Sequence, residues 1–377
     1  MKSHLPVEYH DGKFPPQNLD WGALVPHIGS ANAALGSYNG ALSAVLNPEV
    51  LLAPLTIREA VLSARIEGTQ ATMGEVYQFE AGQPAATPER KDDIDEILNY
   101  RRAMLHAEMM LKDLPLSLRV VREAHSILLS GVRGRDKSPG EYRRIPNWIG
   151  PPGCKIEEAK FVPVGAEKLG EAMDRWERFI HAEQPDLLVQ AAVLHAEFEA
   201  IHPFLDGNGR LGRMLVPLFL WQRGLIGRPM FYISAYFEAH RDDYYDGLLA
   251  VSKDDDWTGW CRFFLSAVRA QSEDNLTKTK GILELYDRMK LRVSEATRSR
   301  YAIHALDWIF QNPVFSSKLF ADGSEIPGPT ARRVLNALVD REVLSVFRVS
   351  GGRRPAIFIF QDVLDVAEGR GSVDINA

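Results

Sequence analysis

The run His202-Pro203-Phe204-Leu205-Asp206-Gly207-Asn208-Gly209-Arg210-Leu211-Gly212-Arg213 lies between two apolar helical patterns, and that placement constrains the fold more than any other feature of the chain. Upstream, Leu187, Ala191, Leu194, Phe198 and Ile201 recur at spacings of three and four, which predicts a helix over Leu187–Ile201. Downstream, Leu211, Leu215, Leu218 and Phe219 give an apolar face to a second helix over Arg210–Trp221, with Pro217 as a candidate kink. A polar loop is therefore pinned between two core helices.

The loop carries an unusual set of groups. Gly207 and Gly209 permit backbone conformations closed to other residues. Consecutive amide protons can then converge on an anion, and the helix that begins there adds its positive dipole end. Asn208 can add a side-chain donor. Arg210 and Arg213 are three apart, so both forks face one mouth and suit phosphate oxygens. Asp206 offers the hard oxygen that Mg2+ prefers. His202 is the natural proton acceptor at neutral pH. It sits at a helix C-terminus, which favours imidazolium, so its basicity requires a compensating group that the sequence does not identify. Each residue alone has an ordinary structural explanation. Together they point to a magnesium-bound polyphosphate beside a base.

This string resembles the signature of Fic-domain proteins, His-x-Phe-x-Asp/Glu-Gly-Asn-Gly-Arg-x-x-Arg, at every specified position. The resemblance implies an adenylyltransferase that uses ATP and Mg2+ and releases pyrophosphate. His202 would deprotonate a Ser, Thr or Tyr hydroxyl of a target protein or of the chain itself. Asp206 would hold Mg2+ on the α and β phosphates. Gly207, Asn208, Gly209 and Arg210 would cradle those phosphates, with Leu211 and Gly212 in the same ATP-binding turn, and Arg213 would engage the γ phosphate. Phe204 is expected to anchor the loop in the core. Glycine at position 209 resembles the AMP-transferring members, whereas the phosphorylating Doc-like branch typically has lysine there.

The likeness extends to both sides. Gly140-Glu141-Tyr142-Arg143, Trp148-Ile149-Gly150 and Lys160-Phe161-Val162-Pro163 resemble the approach to a flap hairpin at about residues 149–163. The exposed edge of that flap would pair with an extended protein substrate by backbone register. Tyr232–Leu248 resembles the segment lining the nucleoside pocket, with Tyr244 or Tyr245 against the nucleoside. Ser63-Ala64-Arg65-Ile66-Glu67-Gly68 matches the family's inhibitory pattern, Ser/Thr-x-x-x-Glu-Gly/Asn. By that resemblance Ser63, Glu67 and Gly68 form an internal brake, Glu67 occupying the Arg213 guanidinium beside the ATP site.

The rest of the chain places these motifs. The first twenty residues read as an extended surface arm. Thr56 is expected to cap a helix over Ile57–Glu67, stopped by Gly68. Further helices are expected from Thr87 towards Leu111, over Leu116–Leu129 and from Thr258 to about Arg298, with a long loop over Gly131–Val164. Beyond Ser299, three helices and two apolar runs about Ser350–Pro355 suggest a winged helix-turn-helix. Its Arg332, Arg333, Arg341, Arg348, Arg353 and Arg354 are compatible with DNA phosphate contacts, while Asp340 and Glu342 dilute that charge. The expected fold is all-α: a Fic helical core with a short β-hairpin flap, then a small winged domain. The expected divisions are 1–112, 113–298 and 299–377.

Bulk properties bound the alternatives. A net charge of -6 argues against a protein that mainly coats nucleic acid. Cys154 and Cys261 lack a disulfide framework or metal-ligand spacing. No apolar run suggests a signal peptide or a membrane span. The expectation is a soluble protein of a reducing cytoplasm, with a homodimer compatible with its helical surfaces. Two rival functions remain in view: a nucleotide-sensing DNA-binding regulator, and a Fic enzyme that removes AMP from targets.

Overall fold

The computed structural model describes residues 5–370 other than 133, 135, 152 and 353. They are mostly helical, with short strands at Val7–Glu8, Phe161–Val162, Val314–Ser316, Ser345–Arg348 and Ile357–Ile359, which is the class expected. Among the described residues no helix is long and apolar enough to cross a membrane. The chain forms two compact units that interleave along the sequence: residues 1–39, 62–68 and 98–273, and residues 40–61, 69–97 and 274–377.

The first unit is built on helix Leu187–Ile201, in which every residue but Leu187 and Glu199 is buried. A helix that is apolar around most of its circumference belongs inside a bundle. Helices Leu169–His181, Asn208–Gln222 and Arg241–Asp254 pack on it, and Leu118–Leu128 packs on Asn208–Gln222. Asp186 fixes its start, with Oδ1 accepting the N–H groups of Leu188 and Val189 at 2.9 Å each. It ends at His202, which is left-handed at φ 49° and ψ 62°. The next helix begins at Asn208, with Gly207 as N-cap, and runs through Pro217. That start precedes the apolar pattern by two residues, because periodicity marks a buried face and not the first turn.

Two expectations need correction. The N-terminal arm is more than a surface wrap. Val7–Glu8 pairs in parallel with Phe161–Val162. The Tyr9 hydroxyl donates to Glu197 at 2.6 Å, and buried His10 bridges Glu197 and Ser252, each at 2.8 Å. A polar segment can be buried when its groups find partners, which composition does not reveal. The helix bearing Glu67's motif runs Ala53–Ile66, so Thr56 lies inside it and is not its cap. Pro54 sits in the first turn, where a missing N–H costs nothing. Gly68, at φ 98°, ends the turn after Glu67 as expected.

The second unit contains helices Ala302–Gln311, Ser317–Gly323 and Gly328–Asp340, in the order expected of a winged helix. Its sheet has three antiparallel strands, with Ile357–Ile359 between Val314–Ser316 and Ser345–Arg348. The strand Val314–Ser316 was not expected, because three consecutive buried residues show no alternation. Arg332, Arg333, Arg341 and Arg354 are exposed. Arg348 instead donates to Gln83 at 2.6 Å and to the Pro355 carbonyl at 3.1 Å. Arg353 lies outside the described residues.

The cap on the central helix yields a stability prediction. Asp186→Ala should cost about 1 kcal/mol in urea unfolding, and Asp186→Asn should keep most of that contribution.

Candidate active site

The loop between the two central helices is held from beneath by two residues of other segments. Arg143 is buried. Its Nε donates to the His202 carbonyl at 2.9 Å, and its Nη2 donates to Ile201 at 3.2 Å and to the Val164 carbonyl. Its backbone N–H donates to Pro203 at 3.0 Å. His125 stacks on Phe204 with ring centroids 3.7 Å apart. Gly140 N–H donates to His125 Nδ1 at 2.8 Å, which leaves the proton on Nε2 to meet the Asp206 carbonyl at 2.9 Å. Phe204 is fully buried, as a core anchor should be. Neither His125 nor the partners of Arg143 could be read from sequence, because contacts between distant segments leave no periodic trace.

The candidate phosphate-binding turn differs in detail from its sequence reading. The Asn208 side chain is committed inside the loop, its Oδ1 accepting Phe204 N–H and its Nδ2 donating to Phe204 O, both at 2.9 Å. What the turn can offer an anion is the backbone N–H groups of Asn208 and Gly209, which a helix start cannot satisfy internally. Gly207 does need its glycine backbone, at φ 78°. Gly209 does not: it lies within the helix. A Cβ there would overlap Glu67 Oε1 and sit 3.0 Å from Arg213 Nη1, so the Glu67 carboxylate covers the helix at this position. Gly212 is likewise covered by the Glu199 carboxyl. Leu211 buries its side chain and spends its N–H on Gly207 at 3.0 Å, which narrows its part to shaping the helix.

Arg213 is the most enclosed cation of the site, with a side chain 1% exposed. Its Nε donates to Ser63 Oγ at 3.0 Å, and its Nη2 donates to the Ser63 carbonyl and to Glu67 Oε1, each at 2.7 Å. Burial alone would raise the Glu67 carboxyl, but Arg213 outweighs it and holds that group below the usual carboxylate range. Glu199 goes the other way. Burial, reinforced by the Glu67 charge and opposed by Arg213, pushes it up to about 8, and its Oε1 is buried without a hydrogen-bond partner. Two carboxyl groups thus flank one guanidinium, and Glu67 carries the negative charge.

Other sequence candidates fall around this pair. The Arg210 side chain is buried, with Nη2 3.4 Å from Asp206 Oδ1. The Asp206 carboxylate accepts Gly207 N–H at 2.6 Å and stays 42% exposed, so it can still reach a cation. Burial separates the two tyrosines. Tyr244 is enclosed and its hydroxyl meets His195 at 2.9 Å, whereas Tyr245 is partly exposed. Tyr245 is the one open to a ligand.

His202 brings a neutral imidazole to this site. Removal from water, and then the Arg143 guanidinium, pull its pKa down to about 4, against the opposing pull of Glu67 and Asp206. This supplies the compensating group that a histidine at a helix C-terminus requires. The flap also departs from expectation. Phe161 pairs with Ile149 on one side, while the Phe161–Val162 strand pairs with Val7–Glu8 on the other. The open edge therefore belongs to the Ile149 side, where Ile145, Trp148 and Ile149 are exposed.

Comparison with known proteins places this geometry in a family context. Residues 25–108 match the model described as Fic/DOC family N-terminal, and residues 115–220 match that of the Fic/DOC family. The chain is 30% identical over 198 residues to the protein adenylyltransferase Fic of Culex quinquefasciatus, covering 51% of this chain and 36% of that protein. It is 30% identical over 166 residues to the protein of the same name from Drosophila grimshawi, covering 43% and 32% respectively. It thus spans about a third of the length of these relatives. A Fic family protein from Desulfovibrio desulfuricans superimposes with a TM-score of 0.58 at 20% identity, over 92% of this chain and 98% of that one. A Fic domain containing signaling protein from Bacteroides thetaiotaomicron gives 0.53 at 19%, over 67% and 97%.

The buried rings set a pH signature. His125 is pulled down to about 4 and His195 to about 3, both by burial first, alongside His202 at about 4. The unfolded chain takes up these protons near pH ~6.5. The three rings therefore contribute stability that is complete above that value and is lost as the pH falls through their folded values. In spectra of [13C]histidine-labelled protein, these three should remain neutral at pH ~5.5, where an ordinary exposed histidine is mostly protonated.

Proposed function

The chain belongs to the Fic/DOC family, and from that premise we propose that it is a self-restrained adenylyltransferase. It transfers AMP from ATP to a Ser, Thr or Tyr hydroxyl of a protein, itself included, and releases pyrophosphate. The observation that carries this reading is the 2.7 Å contact between Glu67 and Arg213, with Ser63 on the same guanidinium, at a helix N-terminus that follows a neutral His202.

His202 takes the proton of the acceptor hydroxyl. The hydroxyl oxygen forms a bond to the α phosphorus as the bond from that phosphorus to the bridging oxygen breaks, and the electron pair leaves on pyrophosphate. The backbone N–H groups at the start of helix Asn208–Gln222 hold the phosphates, with Arg210 and Arg213 beside them. The partly exposed Asp206 carboxylate is the kind of hard oxygen ligand that fits Mg2+. The ion, when bound, would neutralise phosphate charge. Tyr245 provides an aromatic wall for the nucleoside.

Glu67 restrains this reaction by taking the cation intended for the γ phosphate. ATP then binds with its phosphates out of line for attack. Replacing Glu67 removes the brake and also strips a buried guanidinium of its counter-ion. That loss, discounted for the partial exposure of Glu67, is worth about 1–3 kcal/mol.

Glu67→Gly should raise incorporation from α-labelled ATP at least ~10-fold. Its melting temperature should fall without nucleotide and recover with Mg-ATP. Unchanged incorporation would remove the brake. Adding His202→Ala to Glu67→Gly should cost about 10²–10⁴ in rate while ATP still binds. Full activity in that double variant would refute the role of His202 as base.

A further inference from the structure

Arg143 lies outside the motif that carries the chemistry, yet its guanidinium joins two parts of the site that distant segments supply. One is the end of helix Leu187–Ile201, through the Ile201 and His202 carbonyls at 3.2 and 2.9 Å. The other is the root of the flap, through the Val164 carbonyl, two residues beyond the strand Phe161–Val162. The backbone N–H of Arg143 adds a bond to Pro203 at 3.0 Å, so the turn on both sides of the His202 peptide is fixed by one residue.

The need for such a fixture is local. His202 adopts φ 49°, a conformation that costs a non-glycine residue energy unless its surroundings impose it. The last carbonyls of a helix also lack internal partners. A planar guanidinium with donors in a fixed fork meets both needs at once, whereas a lysine would reach the same carbonyls with a mobile point charge. Arg143 is buried, and its Nε and Nη2 are directed at carbonyl oxygens, so it is committed to the frame and not to a ligand.

We propose that Arg143 is a positioning residue that sets the flap root and the base-bearing turn in one register. A hydroxyl presented by the flap then arrives within reach of the His202 ring. The proposal rests on the transfer reaction inferred above. It predicts a loss in the chemical step and not in nucleotide binding, because Arg143 touches the main chain of the base and not the turn at Asn208–Arg210. A misplacement of about 1 Å at a reacting group can cost about 10²-fold in rate.

The test uses the full chain carrying Glu67→Gly, into which Arg143→Met and Arg143→Lys are introduced separately. Self-modification from α-labelled ATP gives kcat and KM, and the His202 ring resonance of [13C]histidine-labelled protein reports the turn directly. That resonance is assigned by its loss in His202→Ala. Arg143→Met should lower kcat about 10²-fold with KM for ATP within a factor of about two, and should move the ring signal. Arg143→Lys should recover part of the rate. Full activity in Arg143→Met, or a KM that rises as far as kcat falls, would overturn the proposal. If Arg143→Met does not fold, Arg143→Lys decides: wild-type kcat and an unmoved ring signal reject the role, and a lowered kcat at constant KM supports it. If the Glu67→Gly parent transfers no label, the functional reading fails by itself. The ring signal then judges Arg143 alone, with no displacement in either variant counting against it.

Discussion

A guanidinium almost wholly removed from water cannot be left without partners, and Arg213 organises the site for that reason. The desolvation cost of its charge is offset here by the Ser63 hydroxyl and carbonyl and by the Glu67 carboxylate. A phosphate that takes the Nη2 donor of this cation competes with the Ser63 carbonyl and the Glu67 carboxylate. On the proposed reading, inhibition and substrate engagement are two occupancies of one charge, and not separate devices linked at a distance. The glycines lie in the same crowding. Position 209 is covered by the Glu67 carboxylate, and position 212 by the Glu199 carboxyl.

The second constraint is electrostatic. The negative end of a helix dipole stabilises a protonated imidazole, which is the wrong state for a base. Here the carbonyls that make up that negative end already accept hydrogen bonds from the Arg143 guanidinium. Burial does most to keep His202 neutral, and the Arg143 cation adds to its effect. Arg143 thus has two consequences from one position, since it caps a helix with a charge and lowers the proton affinity of the residue it caps. Glu67 pulls in the opposite direction but does not prevail.

The central helices, the loop and the Glu67–Arg213 contact were legible in the sequence, each for a physical reason. Helix Leu187–Ile201 announces itself by apolar spacing, and its bounds match those read from the chain. Ser63 and Glu67, four apart on a helix, lie on one face and meet the same guanidinium. What could not be read depends on distance in sequence or on packing. Asn208 looks like a phosphate donor because its chemistry allows it, and only the fold shows its amide closing on Phe204. Gly209 looks like a turn residue, and only the fold shows it inside the helix with Glu67 over it. Thr56 resembled a cap because Pro54 resembled a breaker, although proline is tolerated in a first helical turn. The N-terminal arm read as a surface wrap because its anchors are a tyrosine and a histidine, whose burial requires Glu197 from far along the chain.

That arm gives the first unit its remaining logic. The strand Phe161–Val162 has a neighbour on each side, Ile149 and Val7–Glu8, so it cannot itself be extended by another chain. Tyr9 and His10, directly after the arm's strand, are tied to Glu197. Glu197 lies on the helix that ends at His202. The flap is therefore referenced to His202 by two routes: the arm holds one edge of it to that helix, and Arg143 holds its root to the helix end. A hairpin with so few strand residues would be marginal alone. Anchored in this way it can present an open edge at Trp148–Gly150 whose position relative to His202 does not depend on what binds there. On the proposed reading, that rigidity is what allows recognition through backbone register to place a hydroxyl at a single point in space.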